Sequence, residues 1–456
     1  MLNPAAERAQ TLAESFFNRL KHRLPEGLKT LLKDFRDRCR SRRRPARPEA
    51  GESLPPGFAL LDTSAPAPDD SSSPENALRI LFAAPWLITG GADTMIVDWF
   101  RNLDSAWCEK YFVTTLPREN VWLDKISTYA AGIYDLPAAG CLTRDEMTAF
   151  LKECIARKKI DILHIMNSEA AYHALPELKK SFPALKVVAQ FHCFDYFPDG
   201  RCTGFAFNMP PLYDKYIDCY NLEYPELGDE IRELYPFVAA DKFRVIHGRV
   251  DSDYFDPGKR PPVPEIAARR REGVLNLIYI GRLDRQKQPV RLLRIAARLK
   301  ERGIPFFLHV IGEGNLESQK DEFLAGIAEQ DLSKVMTWHG EQPLESLYDW
   351  YRIADILLLT SDWEGVPMVL YQALAMEVVP VASAVGGCGE LITPECGRLV
   401  ADPGDIEGYV EAVVELDDPD RRRALARAGR ERMRSAFALS ELDREYRDLY
   451  QSLMKR

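Results

Sequence analysis

The sequence predicts an α/β protein of two doubly wound halves, each a parallel sheet flanked by helices. Three observations point there. Short apolar runs alternate with amphipathic stretches of helical length, the pattern of βαβ units. The alternation restarts after a proline-rich break at 251–273. Each half also opens on an apolar run followed by a glycine turn: Leu78–Ala84 before Gly90-Gly91, and Leu275–Ile280 before Gly281. At 456 residues the chain exceeds one core and suits two domains of about 180 residues.

In chain order, residues 1–48 come first. Leu12, Phe16, Phe17, Leu20 and Leu24 recur near helical spacing, and Leu28, Leu31, Leu32 and Phe35 repeat the pattern. Thirteen Lys/Arg stand there against five Asp/Glu, so the net charge of −9 hides a basic end and a body at −17. The expectation is a basic amphipathic helical extension that meets a membrane surface or packs on a partner. An acidic body is a poor nucleic-acid binder, so nucleic acid is excluded as a partner. Residues 49–76, rich in Pro, Ser, Ala and Asp, read as an unstructured linker.

From residue 77 strands are expected at Leu78–Ala84, Tyr111–Thr115, Ile162–Met166 and Lys186–Phe191, with a helix at Arg144–Arg157. The second half adds strands at Leu275–Ile280, Phe306–Ile311, Ile353–Thr360 and Val378–Ala382, and a helix at Val290–Arg302. The domains expected are 77–250, 251–430, and a C-terminal helix over 431–456 that packs back on the first. Ligands in such sheets sit beyond the carboxyl ends of the strands. No run approaches the ~18 apolar residues of a membrane span. Met1–Ala5 starts no secretory signal, and nine scattered cysteines show no CxxC pair. Cytoplasm is the expected compartment, at the inner membrane face if residues 1–48 bind lipid.

Three segments carry the chemistry. In Thr360-Ser361-Asp362-Trp363-Glu364-Gly365-Val366-Pro367-Met368-Val369 an apolar strand gives way to a polar turn, and Pro367 opens a helix whose free N–H groups suit an anion. In Gly281-Arg282-Leu283-Asp284-Arg285-Gln286-Lys287 two cations share one turn after a strand. They suit a developing diphosphate charge, though alone such a pair is better explained as solvated loop charge. Gly312-Glu313-Gly314 follows a third strand and is a weak signal alone, as is Gly90-Gly91.

The order of these segments, continued by Pro380-Val381-Ala382-Ser383, Gly386-Gly387, Glu390 and Gly397-Arg398-Leu399-Val400, resembles the retaining "group 1" glycosyltransferases of GT-B fold. The likeness runs over about 78–450 and is dense over 275–400. It implies two Rossmann-like domains facing a cleft. It implies that Arg282 and Lys287 hold the diphosphate of a nucleotide-sugar donor, with Glu364 on hydroxyls of the transferred sugar. Gly281, Gly312, Gly314 and the backbone of Gly365, Val366, Pro367, Met368 and Val369 would line the donor site, with Gly90 and Gly91 opposite. Read alone, His192 at the end of an apolar run is a core or loop histidine; the likeness sets it beside the donor sugar. The catalytic set expected is thus Arg282, Lys287, Glu364 and His192. Two positions depart from the family. Gln372 replaces the second acid of its E-x7-E motif, where an amide binds a hydroxyl more weakly than a carboxylate does. Gly248-Arg249 replaces Asn-Gly at the interdomain join.

The expected activity is transfer of a sugar, with retention, from a nucleoside-diphosphate sugar to a hydroxyl of a glycan or lipid-linked acceptor, in cell-surface polysaccharide or glycolipid synthesis. No cofactor or metal is expected, the nucleotide-sugar being a co-substrate. The alternative is a non-catalytic scaffold of the same fold that binds nucleotide or glycan. Acceptor contacts are expected around Phe194–Tyr224, where aromatics and prolines are dense.

Overall fold

A computed structural model describes residues 77–314 and 318–455. The extension expected at 1–48 and the linker at 49–76 lie outside the described residues.

The first half is a seven-stranded parallel sheet: β1 (Leu78–Ala84), β2 (Cys108–Thr114), β3 (Gly132–Asp135), β4 (Ile162–Met166), β5 (Lys186–Phe191), β8 (Cys219–Leu222) and β9 (Phe243–Val245). Between β5 and β8 the chain makes a small antiparallel hairpin, β6 (Asp195–Tyr196) and β7 (Cys202–Thr203). The strand order is β3-β2-β1-β4-β5-β8-β9. The second half is a six-stranded parallel sheet of β10 (Leu275–Ile280), β11 (Phe306–Ile311), β12 (Met336–Trp338), β13 (Ile356–Leu359), β14 (Val379–Ser383) and β15 (Arg398–Val400), ordered β12-β11-β10-β13-β14-β15. Each order reverses once, between β1 and β4 and between β10 and β13. At such switch points a crevice opens beyond the strand ends.

The central strands are apolar throughout because helices cover both faces of each sheet, as in Leu275–Ile280, whose six residues are all buried. Four short strands escaped the sequence pattern: β3, β8, β9 and β12 hold three or four residues each, too few to show a period. The strand expected over Ile353–Thr360 begins only at Ile356, because Ile353 ends a helix at Leu347–Ile353. Asp355 then fixes the entry to the strand, its carboxylate accepting from the Asn276 N–H (2.8 Å) and from Arg270 (3.0 Å).

The C-terminal chain ties the halves together. One helix, Pro419–Ala436, packs on the second half, so the domain edge expected at 430 falls inside it. The chain crosses at Ala438, which bridges to Val250. A last helix, Leu442–Met454, lies on the first half with Leu442, Tyr446, Leu449, Tyr450 and Leu453 buried. Its hydroxyls reach polar groups inside the first sheet: Tyr450 to His164 Nδ1 (2.6 Å), and Tyr446 accepting from Asn221 (3.0 Å). Arg249, the departure at the join, is buried and holds this crossing by donating to Ala436 O (2.6 Å) and pairing with Glu445 (2.5 Å). No helix among the described residues is long and apolar enough to cross a membrane.

Candidate functional site

The turns after β10 and β13 are joined to one another. Asp362 N–H donates to Gln286 O (2.8 Å), and Gln286 Nε2 to Trp363 O (2.9 Å). Thr360 Oγ1 donates to Lys287 O (3.0 Å), and Arg291 binds both Thr360 O (2.8 Å) and Asp362 (2.5 Å). Inside this clasp Lys287 Nζ meets Glu364 Oε1 at 2.6 Å, and Ser361 Oγ donates to the same oxygen at 2.5 Å. Glu364 is 4% exposed. Its Oε2 takes no hydrogen bond among the described residues. Arg282 differs from Lys287: half exposed, it is steadied by Asp284 (3.0 Å) and Gln286 (2.6 Å) and turns its remaining donors outward.

Glycines set how closely these turns approach. Gly312 has φ +133°, and a Cβ on it would lie 1.9 Å from Gly281 O. Gly386 has φ +50°, and a Cβ there would lie 1.9 Å from Glu364 O. Both positions therefore demand glycine, for conformation and for space. Gly314 N–H donates to Glu313 (3.1 Å) at the rim of the same region. Pro367 caps the helix Met368–Ala375, so Gly365, Val366, Pro367, Met368 and Val369 form its entry, as the sequence predicts.

The first half supplies the facing wall. A Cβ on Gly365 would lie 2.9 Å from His192 O, and one on Gly91 would lie 3.5 Å from Met368. Strands β5 and β8 pair Phe191 with Leu222, so the next residues, His192 and Glu223, come side by side. His192 Nδ1 is in short contact with the buried Glu223 carboxylate. Burial pulls the imidazole pKa down, but the carboxylates of Glu223, Asp195 and Asp93 outweigh it and the net shift is upward. Its Nε2 is buried without a hydrogen-bond partner among the described residues. Asp93 accepts from Ile88 N–H (2.9 Å) and is pushed up to about 6 by burial. A Cβ on Gly90 would lie 2.6 Å from its Oδ2, so glycine there leaves room for that carboxylate.

The hairpin β6–β7 straps the halves together. Trp363 Nε1 donates to Asp195 (3.3 Å), Arg285 donates to Tyr196 O, and Trp363 lies between Tyr196 (5.5 Å, edge-on) and the Arg285 guanidinium (4.8 Å). Of the aromatics over 194–224, Phe194 and Tyr213 are core and Phe197 is exposed.

Gly365, next to the Lys287–Glu364 pair, is thus brought to the His192 backbone, while Gln372 stands apart from them. It is 4% exposed, and its carbonyl oxygen accepts from the buried Tyr351 hydroxyl (3.1 Å). It makes no hydrogen bond to Lys287 or Glu364 among the described residues. Glu223, Asp195, Trp363, Arg285 and Asp93 were not assigned roles from sequence. Asp93 stands two residues after Gly91, in the first turn of the helix Gly91–Asn102, and Glu223 follows a strand of four residues.

Residues 267–432 match the family model for glycosyl transferases group 1. That stretch of the chain belongs to the group 1 glycosyl transferases. Over 225 residues the chain is 28% identical to D-inositol 3-phosphate glycosyltransferase 1 of Catenulispora acidiphila, covering 47% of this chain and 52% of that one. Over 212 residues it is 29% identical to a glycogen synthase of Mycobacterium tuberculosis, covering 46% and 48%. The chain spans about half the length of the curated relatives it matches. Among solved structures, Anabaena Alr3699/HepE in complex with UDP-glucose superposes with a TM-score of 0.67 at 14% identity, over 82% of this chain and all of that one. The GT-B fold is shared across both halves.

Proposed function

We propose that the chain is a retaining glycosyltransferase that takes a sugar from a nucleoside-diphosphate donor, held between the β10 and β13 turns and His192. The observation that carries this is the buried Lys287–Glu364 pair at 2.6 Å, followed by Gly365 against the backbone of His192, whose Nε2 has no hydrogen-bond partner among the described residues. Oε2 of Glu364 is left to accept a sugar hydroxyl, and a charged imidazole offers its Nε2–H to a sugar oxygen. Arg282, half exposed, and the helix entry at Gly365–Val369 suit the diphosphate. Complexes of the Anabaena neighbour with UDP-glucose support a donor of this class.

In this reading the anomeric C–O bond breaks with its electron pair going to the nucleoside diphosphate. An acceptor hydroxyl bonds to the same face of the sugar, and its proton passes to the departing phosphate oxygen. The protein positions the partners and stabilises the leaving group. The acceptor is a hydroxyl of a glycan or lipid-linked glycan, in cell-surface polysaccharide or glycolipid synthesis, with residues 1–48 meeting the membrane.

Titrating the full chain with UDP-, GDP-, ADP- and dTDP-sugars, then following hydrolysis or transfer by NMR, tests it. Saturable binding of one donor and release of a product with the donor's anomeric configuration is the expected result. Inversion overturns the mechanism, and binding without turnover moves the chain to the scaffold reading.

A further inference from the structure

Strands β5 and β8 run side by side, with Phe191 paired to Leu222 at their carboxyl ends. One residue on, His192 and Glu223 leave the sheet together, on the side where ligands of such sheets bind. Glu223 is 4% exposed, and the His192 ring is the one hydrogen-bond partner of its side chain among the described residues. Its backbone is fixed as well: the Glu223 carbonyl oxygen accepts from Nδ1 of His247 (2.8 Å), at the join between the halves. A buried carboxylate is costly unless it is paired. This one is paired with a single ring nitrogen.

The protons of the pair decide what it can do. An ionised carboxylate only accepts, so Nδ1 of His192 carries its hydrogen in the neutral and the charged ring alike. Nε2 is then the atom that changes. In the neutral ring it is a bare lone pair, and in the imidazolium it is an N–H donor. It is buried without a hydrogen-bond partner among the described residues, while Gly365 of the donor turn packs on the backbone carbonyl of the same histidine.

The surrounding charges favour the imidazolium. Burial alone would keep the ring neutral. Glu223 from the end of β8, Asp195 from the hairpin and Asp93 from the helix Gly91–Asn102 outweigh it, and the net shift is upward. From β4, His164 adds no opposing charge at neutral pH, because burial pushes its own titration down to about 3. From the second half, Lys287 is matched by Glu364. The reaction proposed above needs no base at His192, since the acceptor's proton passes to the departing phosphate oxygen.

We infer that Glu223 is a positioning residue, holding His192 as an imidazolium with its Nε2–H turned to the donor sugar. It acts through the ring and touches neither sugar nor nucleotide. This role rests on the glycosyltransferase reading above, and adds to it a residue and a direction of pH dependence. The charged ring is the working form, so turnover persists below the His192 titration and falls as pH rises through it.

The test follows kcat/KM of the full chain, for the nucleotide sugar it turns over, across about pH 5 to 9. NMR of ¹⁵N-labelled imidazoles, assigned against His192→Asn, reads the ring's titration without any donor present. Glu223→Gln keeps an acceptor for Nδ1–H and removes the charge. It should lower the ring titration and the alkaline limb together, by about one to three pH units. Between the two limbs its turnover should fall at least about tenfold, with Glu223→Asp, which keeps the charge, nearer the parent. In a His192→Asn background, Glu223→Gln should cost less than about twofold more, because the pair acts as a unit. UDP affinity within about twofold of the parent is the folding control. An unmoved alkaline limb in folded Glu223→Gln, or an equal loss with and without His192, overturns the role and leaves the glycosyltransferase reading standing. So does a parent ring found neutral at about pH 7, whether or not any variant folds. A parent that turns over no donor overturns that reading and this role together.

Discussion

The two sheets reverse strand order at equivalent places, and the chain uses the two places differently. At β10 and β13 the turns are clasped by side-chain and backbone bonds around the Lys287–Glu364 pair, and glycines allow contacts no other residue would fit. At β1 and β4 the turns stand apart around a cavity lined by the buried carboxylate of Asp93, whose hydrogen-bond donors are backbone N–H groups. The first is a preorganised charged cradle, suited to a fixed ligand such as a diphosphate. The second is an apolar cavity with few polar groups, suited to a ligand chosen by shape and hydroxyl pattern.

The sharpest way to break this contrast is to remove the cradle's charge. Lys287→Met should lower transfer by about 10²–10³-fold, the usual consequence of losing one group that stabilises a developing charge. It should also destabilise the fold by about 3 kcal/mol, because Glu364 is left buried with only Ser361 as a donor. Adding Glu364→Gln should recover most of that stability and none of the activity. If the double variant regains turnover with its stability, Lys287 is structural and the cradle is not the reaction site.

The cavity side makes the next largest prediction, with the opposite sign for stability. Burial raises the Asp93 carboxyl from 3.8 to about 6. Ionisation therefore works against folding. The penalty is absent below about pH 4, grows between 4 and 6, and is complete above 6, where it reaches about 3 kcal/mol. Asp93→Asn keeps an acceptor for Ile88 N–H. Chemical denaturation should find it more stable than the parent above pH 6 and equal to it near pH 4. A gain that does not change with pH, or a loss at pH 7, would contradict this origin. A destabilising carboxylate kept at a cavity wall is what a binding role predicts.

What the sequence made legible follows the same division. The long strands and the glycine turns could be read because each lies within a short run whose local geometry dictates its residues, whereas Arg282, Lys287 and Glu364 are singled out by their likeness to the family's motifs. Their meeting could not be read: Lys287 and Glu364 are 77 residues apart. Glu223 and Asp195 escaped because they matter only through distant contacts: Glu223 meets His192, 31 residues away, through the pairing of β5 with β8, and Asp195 meets Trp363, 168 residues away, across the two halves. Trp363 sat inside the sharpest segment, and nothing in its neighbours says that a hairpin from the other half would grip it.

That grip yields a smaller prediction. Trp363 meets Asp195 and Tyr196 across the cleft and lies against Arg285 of its own half, so Trp363→Ala should loosen closure over the donor without touching the reacting groups. Nucleotide-sugar KM should rise about fivefold, a coupling of about 1 kcal/mol, with kcat at saturating donor little changed. Arg285→Ala should act in the same direction, and the two together by less than their sum, since both loosen one contact. A fall in kcat at unchanged KM would make the strap part of the chemistry.

The smallest effect is expected where the family motif suggests a large one. Gln372 occupies the second acidic position of E-x7-E, and the motif alone implies that restoring glutamate strengthens donor binding. The geometry argues otherwise. The side chain is buried on the helix Met368–Ala375, and its oxygen is engaged by the Tyr351 hydroxyl, itself in the core. A carboxylate placed there gains one neutral donor and loses its water, a net cost to folding of about 1–3 kcal/mol. Gln372→Glu should therefore lower the melting temperature and change nucleotide affinity by less than about threefold. A tenfold gain in affinity would mean that residue 372 swings to the donor when it binds. The clasped side of the molecule would then hold a moving part, and the contrast between its two switch points would have to be redrawn.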